Sequence, residues 1–178
     1  MFLKRFVVLF LILLPITSFS QTNNDYQLRL QGGIRLFNAE QYSQATTLFK
    51  KLHKDFPDSS RVLHYLGLIQ FKQQNWGNAK DYYKEIVDNN EDDIEARYYL
   101  GICYRELGKF QAIGLRTLTW RKANIHLRYV YTADFRYKDI YYQYALLKRF
   151  QEDYPAAIHY LRADERMSQS VKAVEALH

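Results

Sequence analysis

Apolar side chains recur along this chain at helical spacing, and the spacing itself repeats. An aromatic residue followed three places later by alanine occurs at Tyr42/Ala45, Trp76/Ala79, Trp120/Ala123 and Tyr154/Ala157. Four residues beyond each alanine stands a large side chain, Phe49, Tyr83, Leu127 or Leu161, one turn along the same helical face. Upstream of each alanine lies a second helical pattern with a small residue in its middle: Gly33, Gly67, Gly101 and Ala145. The alanines are 34, 44 and 34 residues apart, and the intervals from small residue to alanine are 12, 12, 22 and 12. The third copy therefore carries ten extra residues, roughly Lys109 to Thr119, between its two helices, and the register returns afterwards. This pattern predicts eight helices, at residues 25–38, 41–54, 60–73, 76–88, 93–107, 120–132, 137–150 and 153–165.

Composition agrees with helices. Only 3 prolines and 7 glycines occur in 178 residues, too few breakers for a sandwich of many turns. Where turns are needed the signals are present, as in Asp58-Ser59-Ser60, whose side chains can cap the next helix. One helix pair cannot hide its apolar stripe, so such units must stack, at least about three of them.

The repeat resembles the tetratricopeptide repeat (TPR), a helix-turn-helix unit of about 34 residues. The third copy matches best, with Arg97, Leu100, Gly101 and Tyr104 where the family prefers Trp, Leu, Gly and Tyr; Pro57 follows the second helix of the first copy, as is common there. Departures are Arg97 for tryptophan, Gln70 and Lys148 for tyrosine, and Ala145 for glycine. The resemblance implies an all-α, right-handed superhelical solenoid of about four TPR units, at about 26–59, 60–93, 94–137 and 138–166, the third with the inter-helix insertion. Residues 167–178, with Val171, Val174 and Leu177 at helical spacing, form a candidate capping helix.

The first twenty residues are of another kind. Lys4 and Arg5 precede an apolar run from Phe6 to Leu14, then Pro15 and the triplet Ser18-Phe19-Ser20, the three-part pattern of a signal peptide cleaved before Gln21. Residues 1–20 are expected to be a signal peptide and residues 21–178 the TPR domain, periplasmic or secreted, with a bacterial envelope as the expected setting. The single cysteine, Cys103, lies far from the leader, so a lipoprotein is not expected and no intramolecular disulfide can form.

Motifs for chemistry are missing from the sequence. None of the five histidines pairs with another at the i, i+4 spacing of a helical metal site, and the acidic run Asp88 to Glu95 has Asp93 and Tyr99 where a calcium loop needs glycine and glutamate. There is no phosphate-cradling glycine loop and no nucleophile elbow. No cofactor and no enzymatic activity are expected. The net charge of +6 is too mild and dispersed to imply nucleic acid.

The family's groove-facing places, carried onto this chain, are Leu30, Ile34 and Phe37; His64, Leu68 and Phe71; Tyr98, Ile102 and Arg105; and Tyr142, Leu146 and Arg149. Of these, Phe37, His64, Phe71, Tyr98, Arg105, Tyr142 and Arg149 are the candidate groove contacts, with packing between neighbouring helices as the competing role. Ile34, Leu68, Ile102 and Leu146 stand where some members carry the asparagines that clamp a chaperone carboxylate, which disfavours that partner. Together with the residues that follow it the insertion is basic, with Lys109, Arg116, Arg121 and Lys122 as a second candidate surface. It is either a docking loop for an acidic partner or an amphipathic turn whose Phe110, Ile113, Leu115 and Leu118 fold back on the stack. These features imply an exported scaffold or adaptor that binds a peptide or helix of another protein in a concave groove. The alternative is an envelope-assembly or polysaccharide-export factor that binds an anionic glycan through Tyr98, Tyr142 and the basic stretch.

Overall fold

The computed structural model describes residues 24–175, with side chains described through Gln169. The expected signal peptide lies outside the described residues. Eight helices and no strands occur among those described: α1 (residues 24–38), α2 (Tyr42–Asp55), α3 (Ser60–Lys72), α4 (Trp76–Asn89), α5 (Ile94–Gly108), α6 (Ile113–Ala133), α7 (Ile140–Phe150) and α8 (Tyr154–Glu175). Most are 11 to 15 residues long, a length at which an isolated helix is marginal in water, so packing has to hold them. Two compact units are formed, one ending at Leu66 and the other beginning at Gly67.

In the first unit α1 and α2 meet through Gly33, where a Cβ would lie 2.5 Å from the Phe49 ring. Phe49 is fully buried and stacks on Tyr65 at 5.2 Å. Arg29 of α1 donates to Asp55 at 2.7 Å, and the Tyr26 hydroxyl lies 2.7 Å from Ser59 Oγ.

The same relationships recur in the second unit. A Cβ on Gly67 would lie 3.0 Å from the Tyr83 ring, and Tyr83 stacks on Tyr99 at 4.9 Å; a Cβ on Gly101 would lie 2.7 Å from Leu127. Ala79, Tyr83, Ala123 and Leu127 are all fully buried, and each large side chain so placed contributes about 1.5–3 kcal/mol by leaving water. The fourth copy differs: Ala157 is buried, but Leu161 is 46% exposed, and Tyr160 instead stacks on Tyr144 at 5.0 Å. Residues 167–175 are not a separate capping helix; they prolong α8. The outer side of α8 consequently keeps Tyr154, Ile158 and Leu161 in solvent.

Turns between paired helices share one backbone solution. Glu40, Gln74 and Glu152 adopt φ of 58°, 59° and 62°, and the next residue reaches back to a carbonyl five places earlier, as in Gln41 N to Leu36 O and Asn75 N to Gln70 O. Thirty-four residues beyond Gln74 stands Gly108, which instead remains in α5. The insertion begins there. It is not a loop: after a short turn the chain re-enters a helix at Ile113, and the residues expected to form a loop become the first two turns of the 21-residue α6. At the start of α5 the acidic run acts as a cap, Asp93 accepting from Ala96 N at 2.8 Å.

Candidate functional site

The second unit contains a cleft of about 300 Å³. Leu68 and Phe71 of α3, Trp76 of α4, and Tyr98, Tyr99 and Ile102 of α5 supply its apolar and aromatic wall. Lys72, Arg105, Lys138 and Gln143 complete the lining. The family positions expected to face a groove thus converge here for Leu68, Phe71, Tyr98, Ile102 and Arg105. Tyr142 and Arg149 are exposed on α7 and lie outside the lining. In the first unit Leu30 is fully buried core, Phe37 packs on Tyr42 and Tyr65 at 5.7 and 5.5 Å, and His64 meets the edge of Tyr65.

Arg105 does not offer an open guanidinium. It is 5% exposed, donates to the side chain of Gln143, and reaches Glu106 Oε1 through Nε and Nη2 at 3.0 and 2.8 Å. Arg105 reaches the cleft lining, but its fork is spent inside the protein, as a buried charge must be, so it is not a free groove contact. A polar chain runs on from it. Gln143 Nε2 donates to Asp139 at 2.7 Å, the Tyr98 hydroxyl donates to the same carboxylate, and Lys109 pairs with Glu106. Burial and then the Asp139 bond hold the Tyr98 phenol well above its ordinary pKa, so it stays a donor at any physiological pH.

This network has a counterpart in the repeat. Phe37 meets Tyr65 at 5.5 Å and Phe71 meets Tyr99 at 4.9 Å, and one register later the two places are held by Arg105 and Gln143. A polar pair stands where two aromatic pairs precede it.

Lys138 sits where the aromatic wall and the polar chain meet. Its ammonium lies 4.4 to 5.1 Å from the ring centres of Tyr98, Tyr99 and Tyr137 and donates to Glu95 at 2.8 Å and to Tyr99 Oη at 3.2 Å. Burial alone would lower its pKa, but the bonds to Glu95 and Tyr99 outweigh that and raise it, so the charge is fixed. Lys72, Trp76, Tyr99, Lys138 and Gln143 were not among the expected groove residues. Gln143 was within reach, since it falls at the register of Tyr65 and Tyr99.

On the opposite question, that of chemistry, burial pushes the Cys103 thiol up to about 12, which keeps it protonated and a poor nucleophile. Among the described residues no three His, Cys, Asp or Glu side chains converge as a metal site, and no helix is long and apolar enough to cross a membrane. Of the second candidate surface, Lys109 is tied to Glu106 and lies over the Phe150 ring, and Arg116 lies 5.4 Å over Trp120; Arg121 and Lys122 are exposed. Phe110, Ile113, Leu115 and Leu118 do not fold back on the helices but are 51–82% exposed.

Helix pairs in a fixed register, with a small residue of the first helix against a large one of the second, decide the fold. The chain has the tetratricopeptide-repeat fold. It is similar to a thermophilic TPR protein of Thermus thermophilus, at 21% identity, TM-score 0.67, over 78% of this chain and 72% of that one. It is also similar to MamA of Desulfovibrio magneticus RS-1, at 20% identity, TM-score 0.69, over 83% and 77%. A TPR protein of Parabacteroides merdae ATCC 43184 aligns at 12% identity, TM-score 0.69, over 81% and 52%. The family model described as anaphase-promoting complex, cyclosome, subunit 3 matches residues 38–113. No curated protein sequence matches the chain. The cleft lies on the first helices of the repeat units, α3, α5 and α7, with Trp76 added from α4 and Lys138 from the turn before α7.

Proposed function

We propose that this TPR chain is an exported adaptor that holds a short segment of another protein in the cleft of the second unit. The single observation that carries the reading is the lining itself. Leu68, Phe71, Trp76 and Tyr99 offer apolar and aromatic surface around a cleft of about 300 Å³, a size that accepts one or two anchoring side chains. The polar chain from Tyr98 to Glu106 is already satisfied, so it shapes the wall without demanding a ligand charge. Aromatic anchors in such a wall are where binding energy concentrates. Export rests on the leader pattern of Lys4, Arg5 and the apolar run after them.

The glycan reading has less support, because Tyr98 is 6% exposed and cannot present a ring face for a sugar to stack upon. A photo-crosslinking amino acid at Lys72, in the cleft lining, tests the peptide reading in cells of the native source. A discrete protein adduct from that position, and none from exposed Glu85 on α4, is expected. Equal adducts at both positions, or none at Lys72, would contradict it.

A further inference from the structure

From Ile113 to Ala133, α6 carries four cationic residues, Arg116, Arg121, Lys122 and Arg128, and no carboxylate. Its inner face is fixed by Trp120, Ala123, Leu127 and Val130, all buried. At 100° per residue, Leu118 and Ile125 fall on the opposite side, and they are 51% and 54% exposed; Leu115 beside them is 61% exposed. An ordinary solvent face would carry charge at these places. This one carries aliphatic side chains flanked by cations.

Their spacing is informative. Leu115, Leu118, Thr119 and Lys122 stand at i, i+3, i+4 and i+7, and so do Leu118, Arg121, Lys122 and Ile125. Each set of four is the arrangement that receives one knob of a facing helix. The same residues, with Gln111, line a depression of about 370 Å³. Gly114 on this side has nothing within 4 Å of where a Cβ would stand, so its own fold gives no reason for it, while an approaching backbone would find room there.

We infer that the solvent face of α6 is a second docking surface, and that its occupant is an amphipathic helix of a partner protein with an apolar seam flanked by Asp or Glu. Charge complementarity selects this occupant. A second copy of α6 would set cations against cations, whereas carboxylates at the flanks of a facing helix would meet Arg121, Lys122 and Arg128. The depression between these side chains, which a knob of a facing helix would fill, distinguishes a helix from a lipid surface, which needs apolar and basic groups but no hole. This surface is separate from the cleft described above and does not depend on it.

The test uses two synthetic peptides of three heptads, each with leucine at the a and d places, one with glutamate and the other with lysine at e and g. Fluorescence anisotropy against the mature chain should show binding of the glutamate peptide and not of the lysine peptide. Leu118→Glu with Ile125→Glu should abolish binding, and Arg121→Glu with Lys122→Glu should weaken it about tenfold or more and bring in the lysine peptide. All four side chains are at the surface, so an unchanged melting curve shows that the variants fold. Trp76→Ala in the cleft should leave peptide binding unchanged. Failure to bind the glutamate peptide, indifference to the charge swap, or cosedimentation with phosphatidylglycerol vesicles in place of peptide binding would overturn the inference.

Discussion

A Cβ placed on Gly108 would lie 2.3 Å from Trp120 Nε1, the closest such approach of any glycine in the protein. Trp120 in turn donates from that nitrogen to the Arg105 carbonyl at 3.1 Å. The glycine that ends α5 and the tryptophan inside α6 therefore fit together across the insertion. Gly108→Ala should gain about 1 kcal/mol of helix propensity and lose more by displacing the buried indole, a net destabilisation of about 1–2 kcal/mol. Gly77→Ala and Gly114→Ala meet nothing within 4 Å and should instead be neutral or stabilising by up to about 1 kcal/mol. Chemical denaturation of the three variants checks the opposite signs.

The Arg105 and Gln143 pair occupies the register of Phe71 and Tyr99, which makes its energetics separable. Gln143→Leu should cost about 2–3 kcal/mol, because it removes the acceptor of a buried guanidinium. Arg105→Phe combined with Gln143→Tyr recreates the aromatic pair of the preceding repeat and should recover most of that loss. A double variant less stable than Gln143→Leu would show that the two places are not equivalent.

His126 stacks on Tyr104 at 5.7 Å, and burial, followed by the charges of Arg97 and Lys122, lowers its pKa to about 4. The folded protein refuses a proton that the unfolded chain accepts at about 6.5, so stability should fall as pH drops from about 6.5 to about 4 and level off below. The loss has a ceiling of about 3 kcal/mol and is smaller to the extent that the ring still meets solvent. His126→Phe keeps the stack and should remove this component of the slope, which unfolding measured from pH 7.5 to pH 4 would show.

Cys103 is fully buried with its thiol pushed up to about 12. A thiol reagent should label the native chain only at the rate of its opening, and the denatured chain at once. Rapid labelling of the native protein would mean that α5 is not packed as described.

The paired small and large residues made most of this fold legible. Gly33 with Phe49, Gly67 with Tyr83 and Gly101 with Leu127 are close contacts in space because helices can approach only where a side chain is missing, and that requirement leaves its mark on residue types. Leu161 kept the register but not the burial, since burial depends on what packs against α8 and no spacing reports that. The insertion was visible as ten residues out of register, yet its helicity was not, because the mixed apolar and basic residues of 113–119 carry little amphipathic contrast. Arg105 shows the limit at the candidate site. Its place in the repeat could be read, but whether its charge faced a ligand or Glu106 depended on side-chain geometry across α5 and α7.

Four helix pairs share one register, and residues 109–118 are added to it without being needed by it. Deleting those ten residues joins Gly108 to Thr119, giving the spacing of Gln74 to Trp76, with Gly108 free to take the left-handed turn seen at Glu40, Gln74 and Glu152. Thermal unfolding of the shortened chain, followed by circular dichroism, is the direct test. The expected result is a single cooperative transition with helix content reduced only by the deleted turns; a chain that melts without cooperativity would contradict the shared register.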